Sequence, residues 1–350
     1  MSQQKIRLGI TGSGFMGQTH AEAASQVEEV QAIAVAGGSR APKMAETYSL
    51  KVEPDARSLV RRDDVDAVLI TTPHHIHVAE ALEAIQCGKH LLIEKPITTS
   101  VEDCDRILEA ADRKGVVVAV GYHQRFRRNV SEACKVLRSG ILGPILTVQV
   151  AMPFPIAALR GEGVLGSTWA WWSDPASLGH IINGGPHGID VIRWCLQTEV
   201  ATVSALCRTF CQDVPVENTT MALLSFTNGA LCTLFSTSVA ASPNFTGEEF
   251  RFRIMGADGL MDLDPYGELR VTTDGQWRTV STQAPVGHQS AKTIFNPVRM
   301  ESYQKQLRAF AQMIRGEASD IGTGLDGRAG VEACLAMLEA SKKETVIRLR

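Results

Sequence analysis

The sequence predicts a two-domain α/β protein: a doubly wound parallel sheet first, then an α+β domain on a large, mainly antiparallel open sheet. Three observations carry this. The first is a series of short apolar runs, Lys5–Thr11, Val30–Ala36, Ala67–Thr71, His90–Glu94 and Val116–Val120. They lack polar alternation, as parallel strands covered on both faces do. The second is the helical patterns between them, at Gly14–Ser25, Pro42–Tyr48, Val78–Cys87 and Val101–Lys114. The third is a change near residue 121, after which apolar segments alternate and carry Thr, Val and Phe, as antiparallel strands do. At 350 residues the chain exceeds one ordinary core. The expected division is 1–122 and 123–350.

The first strand runs straight into Gly12-Ser13-Gly14-Phe15-Met16-Gly17, a G-x-G-x-x-G turn between strand and helix. In that setting Gly12 makes the tight turn, Gly14 leaves room for a dinucleotide pyrophosphate, and Gly17 lets the helix pack close to the strand. The helix N-terminus adds free N–H groups and a positive dipole end. The first domain therefore reads as a Rossmann dinucleotide-binding domain; the alternative is a purely structural glycine turn. Later elements carry their own boundary marks. Gly88 and Gly115 follow two helix ends as C-terminal caps, and Ser100 to Asp103 reads as a capping box. One further helix, Asn129–Arg138, leads into the second domain. Its strand candidates are Ile145–Met152, Val200–Cys207, Thr220–Phe226, Leu231–Ser238, Phe250–Met255 and Glu268–Thr272, flanked by helices at Gly188–Leu196, Glu301–Arg315 and Gly327–Lys342.

Composition excludes several classes. A hydrophobic content of 44%, a charged content of 21% and a net charge of −3 describe a soluble globular chain with no nucleic-acid surface. No apolar run approaches the roughly 20 residues of a membrane span, and Lys5 and Arg7 interrupt the N-terminal apolar residues, so no signal peptide is expected. The eight cysteines, Cys87, Cys104, Cys134, Cys195, Cys207, Cys211, Cys232 and Cys334, are scattered. Reduced thiols in a cytoplasmic protein are expected.

Over nearly its whole length the chain resembles the Gfo/Idh/MocA oxidoreductase family. Beyond the glycine turn, the residues that carry the likeness are Thr72-Pro73-His74-His75-Ile76-His77, Glu94-Lys95-Pro96, Gly121-Tyr122-His123-Gln124-Arg125-Phe126, and Asn183-Gly184-Gly185-Pro186-His187-Gly188-Ile189-Asp190 followed by Arg193-Trp194. The resemblance implies a nicotinamide-dependent dehydrogenase or reductase acting on CH–OH groups of a sugar, cyclitol or similar polyol. Two other classes stay open, a redox-assisted glycoside hydrolase and a non-catalytic sugar or cofactor sensor.

Candidate catalytic residues are Lys95, His187 and Asn183. Lys95 ends a strand at the carboxyl edge of the sheet, where its ammonium can stabilise a developing alkoxide; an ordinary ion pair with Glu94 is the alternative. The resemblance suggests a cis Lys95–Pro96 bond. His187, at a glycine-rich turn expected to open a helix, is the natural base near pH 7. Asn183 stands where the family has Asp. An amide there positions substrate but cannot take a proton. Asp190 is assigned a structural role.

The expected cofactor set is Gly12, Ser13, Gly14, Phe15, Met16, Gly17, Ser39, Arg40, Thr72, Pro73, His74, His77, Glu94 and Lys95. The expected substrate set is Lys95, His123, Arg125, Trp172, Asn183 and His187. Trp172 and its neighbours Trp169 and Trp171 suit either the apolar face of a sugar ring or a plug between sheet and loop. His74, His75 and His77 lack a further ligand, so no metal is expected. NAD enzymes of this fold place an acid after the second strand, about 20 residues beyond the glycines. Here stand Ala36-Gly37-Gly38-Ser39-Arg40, with no acid. Ser39 and Arg40 can hold a 2′-phosphate, so NADP(H) is expected over NAD(H); alternatively Arg40 stacks on adenine. An uncovered apolar sheet face in the second domain further predicts a homodimer or homotetramer.

Overall fold

A computed structural model describes residues 4–155, 174–211, 215–241, 250–283 and 295–349. The chain divides into two compact units, 1–126 with 292–329 and 127–291 with 330–350.

In the first unit β1 (Ile6–Thr11), β2 (Val30–Ala36), β3 (Lys51–Glu53), β4 (Ala67–Ile70), β5 (His90–Ile93) and β6 (Val118–Val120) form a parallel sheet in the order β6-β5-β4-β1-β2-β3. Ile10 pairs with both Val35 and Leu69, so the central strand is covered on each edge by strands from either side of the topological switch. The connecting helices are α1 (Phe15–Ala24), α2 (Ala41–Tyr48), α3 (Ala56–Val60), α4 (His77–Gln86) and α5 (Val101–Lys114). Ser100 caps α5 by accepting from the N–H of Asp103, and Gly115 closes it in the left-handed conformation, as its sequence marks require. The three-residue β3 and the five-residue α3 were not foreseen, because such short elements leave too few periods to recognise.

The second unit holds α6 (Arg128–Arg138), β7 (Ile145–Pro155), α7 (His180–Leu196), β8 (Val200–Arg208), β9 (Thr219–Phe226), β10 (Leu231–Ala240), β11 (Arg251–Gly256), β12 (Leu260–Leu263), β13 (Glu268–Thr272) and β14 (Arg278–Thr282). These strands lie in the order β14-β13-β12-β11-β7-β10-β9-β8, antiparallel except for the pairing of β7 with β10. One face is closed by α6 and α7 over a core of Val148, Val150, Leu224, Leu234, Phe252, Ile189 and Ile192. The other face leaves Leu206, Met221, Leu223 and Leu231 more than half exposed.

Two features differ from the sequence expectation. The helix expected from Gly188 begins two turns earlier, at His180, and runs through Gly184, Gly185 and Pro186. Glycine and proline read as breakers, but packing overrides propensity here. A Cβ at Gly185 would lie 2.7 Å from the Cys334 sulfur, so the small residue permits close approach inside the core. Second, the chain returns to the first unit. There α8 (Pro297–Ile314) sets Tyr303, Leu307 and Phe310 in the core with Leu8, Ile10 and Leu92, and β15 (Gly322–Thr323) adds antiparallel to β6. Helix α9 (Gly324–Lys343) then crosses into the second unit's residues, where β16 (Ile347–Arg348) pairs with β8. The amphipathic pattern of α8 announces a helix but does not say which sheet it covers.

Candidate active site

The glycine turn at the end of β1 has the shape a dinucleotide needs. Gly12 sits at φ +91°, where an L side chain is strained, and a Cβ would lie 2.8 Å from the Thr71 carbonyl oxygen. At Gly17 a Cβ would lie 2.1 Å from the Gly12 oxygen, so only glycine lets α1 start this close to β1. At Gly14 nothing lies within 4 Å of that position. The open space therefore falls where the pyrophosphate would approach the first turn of α1, and the residues fit the group. Ser13 is buried, Phe15 and Met16 half-buried, and the Arg299 guanidinium stands 4.5 Å from the Phe15 ring centre.

The turn after β2 lies against this cradle. A Cβ at Gly38 would meet the Ser13 hydroxyl at 2.5 Å. Ser39 and Arg40 follow, both exposed, with Arg40 at the N-cap of α2 and no acid between Ala36 and Arg40.

The ends of β4 and β5 carry the next group. Thr72 and Thr11 both donate their hydroxyls to the Glu80 carboxylate, at 3.0 and 2.6 Å. Burial raises the Glu80 carboxyl above its usual range, opposed by those two bonds. Pro73 precedes the turn at His74. His74 is buried, and burial, with the neighbouring His77, Lys95 and His75, holds its pKa well below the ordinary histidine value. Its ring is therefore neutral near pH 7. His77 has no exposed surface. Its Nδ1 lies 3.0 Å from the Pro96 carbonyl and its Nε2 2.8 Å from that of Thr72, so it joins the two loops. Lys95 precedes Pro96 through a cis bond. Burial lowers the Lys95 pKa, and the Glu94 charge partly restores it.

Two expected substrate residues have internal partners. His123 is buried and stacks on Tyr303 with ring centres 4.6 Å apart. The Arg125 guanidinium is buried against the Asp326 carboxylate at 3.0 Å. In the second unit, Asn183 and Asp190 are buried on α7 and His187 is half-buried. Trp172, Trp169 and Trp171 lie outside the described residues.

Several neighbours escaped the sequence reading. His180, Asn183 and His187 follow the i, i+3, i+7 spacing of one helix face. A Cβ at Gly184 would lie 3.3 Å from the His180 ring, so the glycine gives that imidazole its room. Glu217 caps α7 through the N–H of Ile181. His20, on the buried face of α1 with Gly17, Ala21 and Ala24, reaches the Glu94 carboxylate. A polar residue on an otherwise small, apolar helix face was the available signal for it.

Residues 6–122 match the model of the oxidoreductase family with an NAD-binding Rossmann fold, and residues 130–262 match the Gfo/Idh/MocA C-terminal domain. The chain is 27% identical over 346 residues to inositol 2-dehydrogenase 2 of Saccharopolyspora erythraea, covering 94% of this chain and 92% of that protein. It is 31% identical over 210 residues to inositol 2-dehydrogenase of Acidothermus cellulolyticus, 59% of this chain and 58% of that one. Its fold matches that of levoglucosan dehydrogenase in complex with NADH and levoglucosan, with a TM-score of 0.83 over 99% of both chains at 23% identity. With a family match on each of its two parts, this chain belongs to the Gfo/Idh/MocA oxidoreductases.

Proposed function

We propose that this chain is an NADP(H)-preferring oxidoreductase that interconverts a CH–OH and a C=O group of a sugar, cyclitol or related polyol. The observation that carries the reading is Lys95, a half-buried amine at the carboxyl end of β5, in the same unit as the glycine cradle. Ligands of doubly wound sheets bind at that edge. Relatives that act on inositol share most of the chain's length, which supports a polyhydroxy substrate. The preference for the 2′-phosphate rests on exposed Ser39 and Arg40 and on the missing acid after β2.

The nicotinamide, when bound, takes up or supplies the hydride. The protein's part is position, proton and field. Gly12 to Gly17, with Ser13, Phe15 and Met16, would hold the pyrophosphate; Ser39 and Arg40 the 2′-phosphate. Thr72, Pro73, His74, His77 and Glu94 would shape the nicotinamide end. His74 acts there as a neutral, buried wall, since burial holds its pKa well below the ordinary value, and buried His77 ties the Thr72 and Pro96 carbonyls together. In the oxidative direction His187 takes the substrate hydroxyl proton at a ring nitrogen. The Lys95 ammonium donates to the same oxygen as negative charge develops. Asn183 hydrogen-bonds another hydroxyl. His123 and Trp172 remain in the proposed substrate set, while Arg125 acts through its pairing with Asp326. A soluble, cytoplasmic homo-oligomer is the proposed working form.

The test is a spectrophotometric screen of cyclitols, sugars and anhydrosugars with NADP and NAD supplied separately. Release of reduced cofactor with at least one polyol supports the reading. Cofactor binding with no turnover across the panel points instead to a sensor, the role that Asn183 in place of an acid favours.

A further inference from the structure

The first unit contains a buried pair that the proposed chemistry leaves unused. His20, on α1, and Glu94, just past β5, bring Nε2 and Oε1 to 2.8 Å. His20 has no exposed surface and Glu94 almost none. A carboxylate only accepts, so His20 Nε2 carries the proton and donates it. Nδ1 of that ring meets no polar partner among the described residues. The ring instead stands edge-on to Tyr303 of α8, centres 5.3 Å apart. His20 is thus oriented by packing and committed to one hydrogen bond.

The other Glu94 oxygen accepts from the backbone N–H of Lys95 at 3.2 Å. A Cβ at Gly121 would lie 3.0 Å from the carboxyl carbon, so the end of β6 closes over it as well. Glu94 is therefore gripped from three sides and adjoins Lys95. We propose that His20 is a positioning residue for Lys95: by donating to Glu94 it holds that carboxylate in place beside the lysine, where it favours the lysine's ammonium form.

The physical chain is short. Burial disfavours the ammonium of Lys95, and the Glu94 charge opposes that loss. Removing the His20 donor therefore releases the Glu94 carboxylate from its fixed place beside Lys95 and weakens the interaction that holds the lysine proton. Other groups face this cluster. His74 interacts with Lys95 and His77 with Glu94, while His123 stacks on Tyr303 and Arg299 lies 5.8 Å from that ring. Burial holds the His74 pKa well below the ordinary value, so His74 supplies no competing cation near neutrality, and the His77 ring nitrogens are engaged by the Thr72 and Pro96 carbonyls.

The kinetic consequence rests on the proposed role of Lys95, so the test reads the lysine directly. The intact chain is labelled with 13C-lysine, and the Lys95 side-chain resonance is assigned by Lys95→Arg. It is then titrated in the unmutated protein, in His20→Leu, which fills the space without a donor, and in His20→Gln, which keeps an N–H donor. The expected result is a fall of about one pH unit or more in His20→Leu and recovery in His20→Gln, the size of effect a nearby opposite charge has. The alkaline limb of kcat moves by the same amount. An unmoved lysine in folded His20→Leu overturns the proposal, as does an equal fall in the Leu and Gln variants. Should His20→Leu fail to fold, Glu94→Gln gives the same reading: a lower Lys95 titration supports the proposal and an unchanged one overturns it. A displaced lysine titration with an unmoved kcat limb supports the role of His20 and rejects that of Lys95 in catalysis.

Discussion

The Glu217 carboxylate accepts the backbone N–H of Ile181 at 2.7 Å, in the first turn of the helix that carries Asn183 and His187. Its other oxygen accepts from Thr220, and its carbonyl accepts from the N–H of His180. The start of α7 is thereby tied to β9, with an acid at the positive end of the helix dipole. Burial nonetheless raises the Glu217 carboxyl above its usual range, against those hydrogen bonds. A raised folded-state pKa means that the native chain binds the proton more tightly than the unfolded chain. That contribution is present below the ordinary glutamate range and is lost as pH rises through the raised value. Urea unfolding from pH 4 to 8 should show Glu217→Gln gaining on the unmutated protein as pH rises. A difference that does not vary with pH contradicts this. Glu217→Ala, which orphans two donors, should cost about 1–3 kcal/mol.

Arg125 and Asp326 make a second testable pair. Asp326 also accepts from the backbone N–H of Thr323, so one carboxylate fixes β15, the start of α9 and the segment after β6. Removing either partner leaves a charge in the interior and should cost about 3 kcal/mol, whereas the double variant should cost less than the sum. If Arg125 acts only through Asp326, variants that still fold will keep substrate KM. A raised KM at unchanged stability would return Arg125 to the substrate.

The Rossmann half of the fold was legible because its signals are local. Parallel strands read as unbroken apolar runs, and at Gly12 and Gly17 a Cβ would clash within the turn itself, at the Thr71 and Gly12 carbonyl oxygens. The helix from His180 was misread for the opposite reason. The small residues at Gly184 and Gly185 answer to His180 and Cys334, contacts that sequence spacing does not reveal. The fate of Arg125 was hidden likewise, since its partner Asp326 lies two hundred residues further along the chain. His20, Glu80 and Glu217 are single polar residues in apolar surroundings. Only the fold shows that each has a buried partner.

The proposed preference for NADP(H) rests on the turn after β2. NADPH should bind more tightly than NADH, and Arg40→Ala should weaken NADPH by about tenfold, the worth of one charge-assisted contact, with little effect on NADH. Dissociation constants from fluorescence titration check this. Tighter NADH binding by the unmutated protein contradicts it.

The outer face of the second unit's sheet predicts assembly. Leu206 and Met221 are register partners on β8 and β9, and Leu223 and Leu231 extend the same exposed apolar area. Such a patch on a monomer marks an interaction surface. Light scattering at micromolar concentration should show a dimer or tetramer, and Leu223→Asp should lower the mass toward that of one chain. A monomeric unmutated protein rules the idea out.

Lys95, His187 and Asn183 should separate by kinetics. Loss of hydride from carbon needs a base for the hydroxyl proton and a stabiliser for the oxygen. His187 and Lys95 have those chemistries, and the Asn183 amide has neither. Lys95→Ala and His187→Ala should each lower kcat by roughly 10²-fold or more with cofactor affinity nearly intact. Asn183→Ala should act mainly on KM, because an interaction equal in ground and transition states is lost from both. The lowered Lys95 pKa adds a pH signature: the ammonium is lost at a pH below the ordinary lysine value, so kcat should decline earlier on the alkaline side than a solvent-exposed lysine would allow. Near-normal kcat in His187→Ala across the pH range would remove His187 as base. The proton would then go to another group, and His180, on the same face of α7, is the first to substitute.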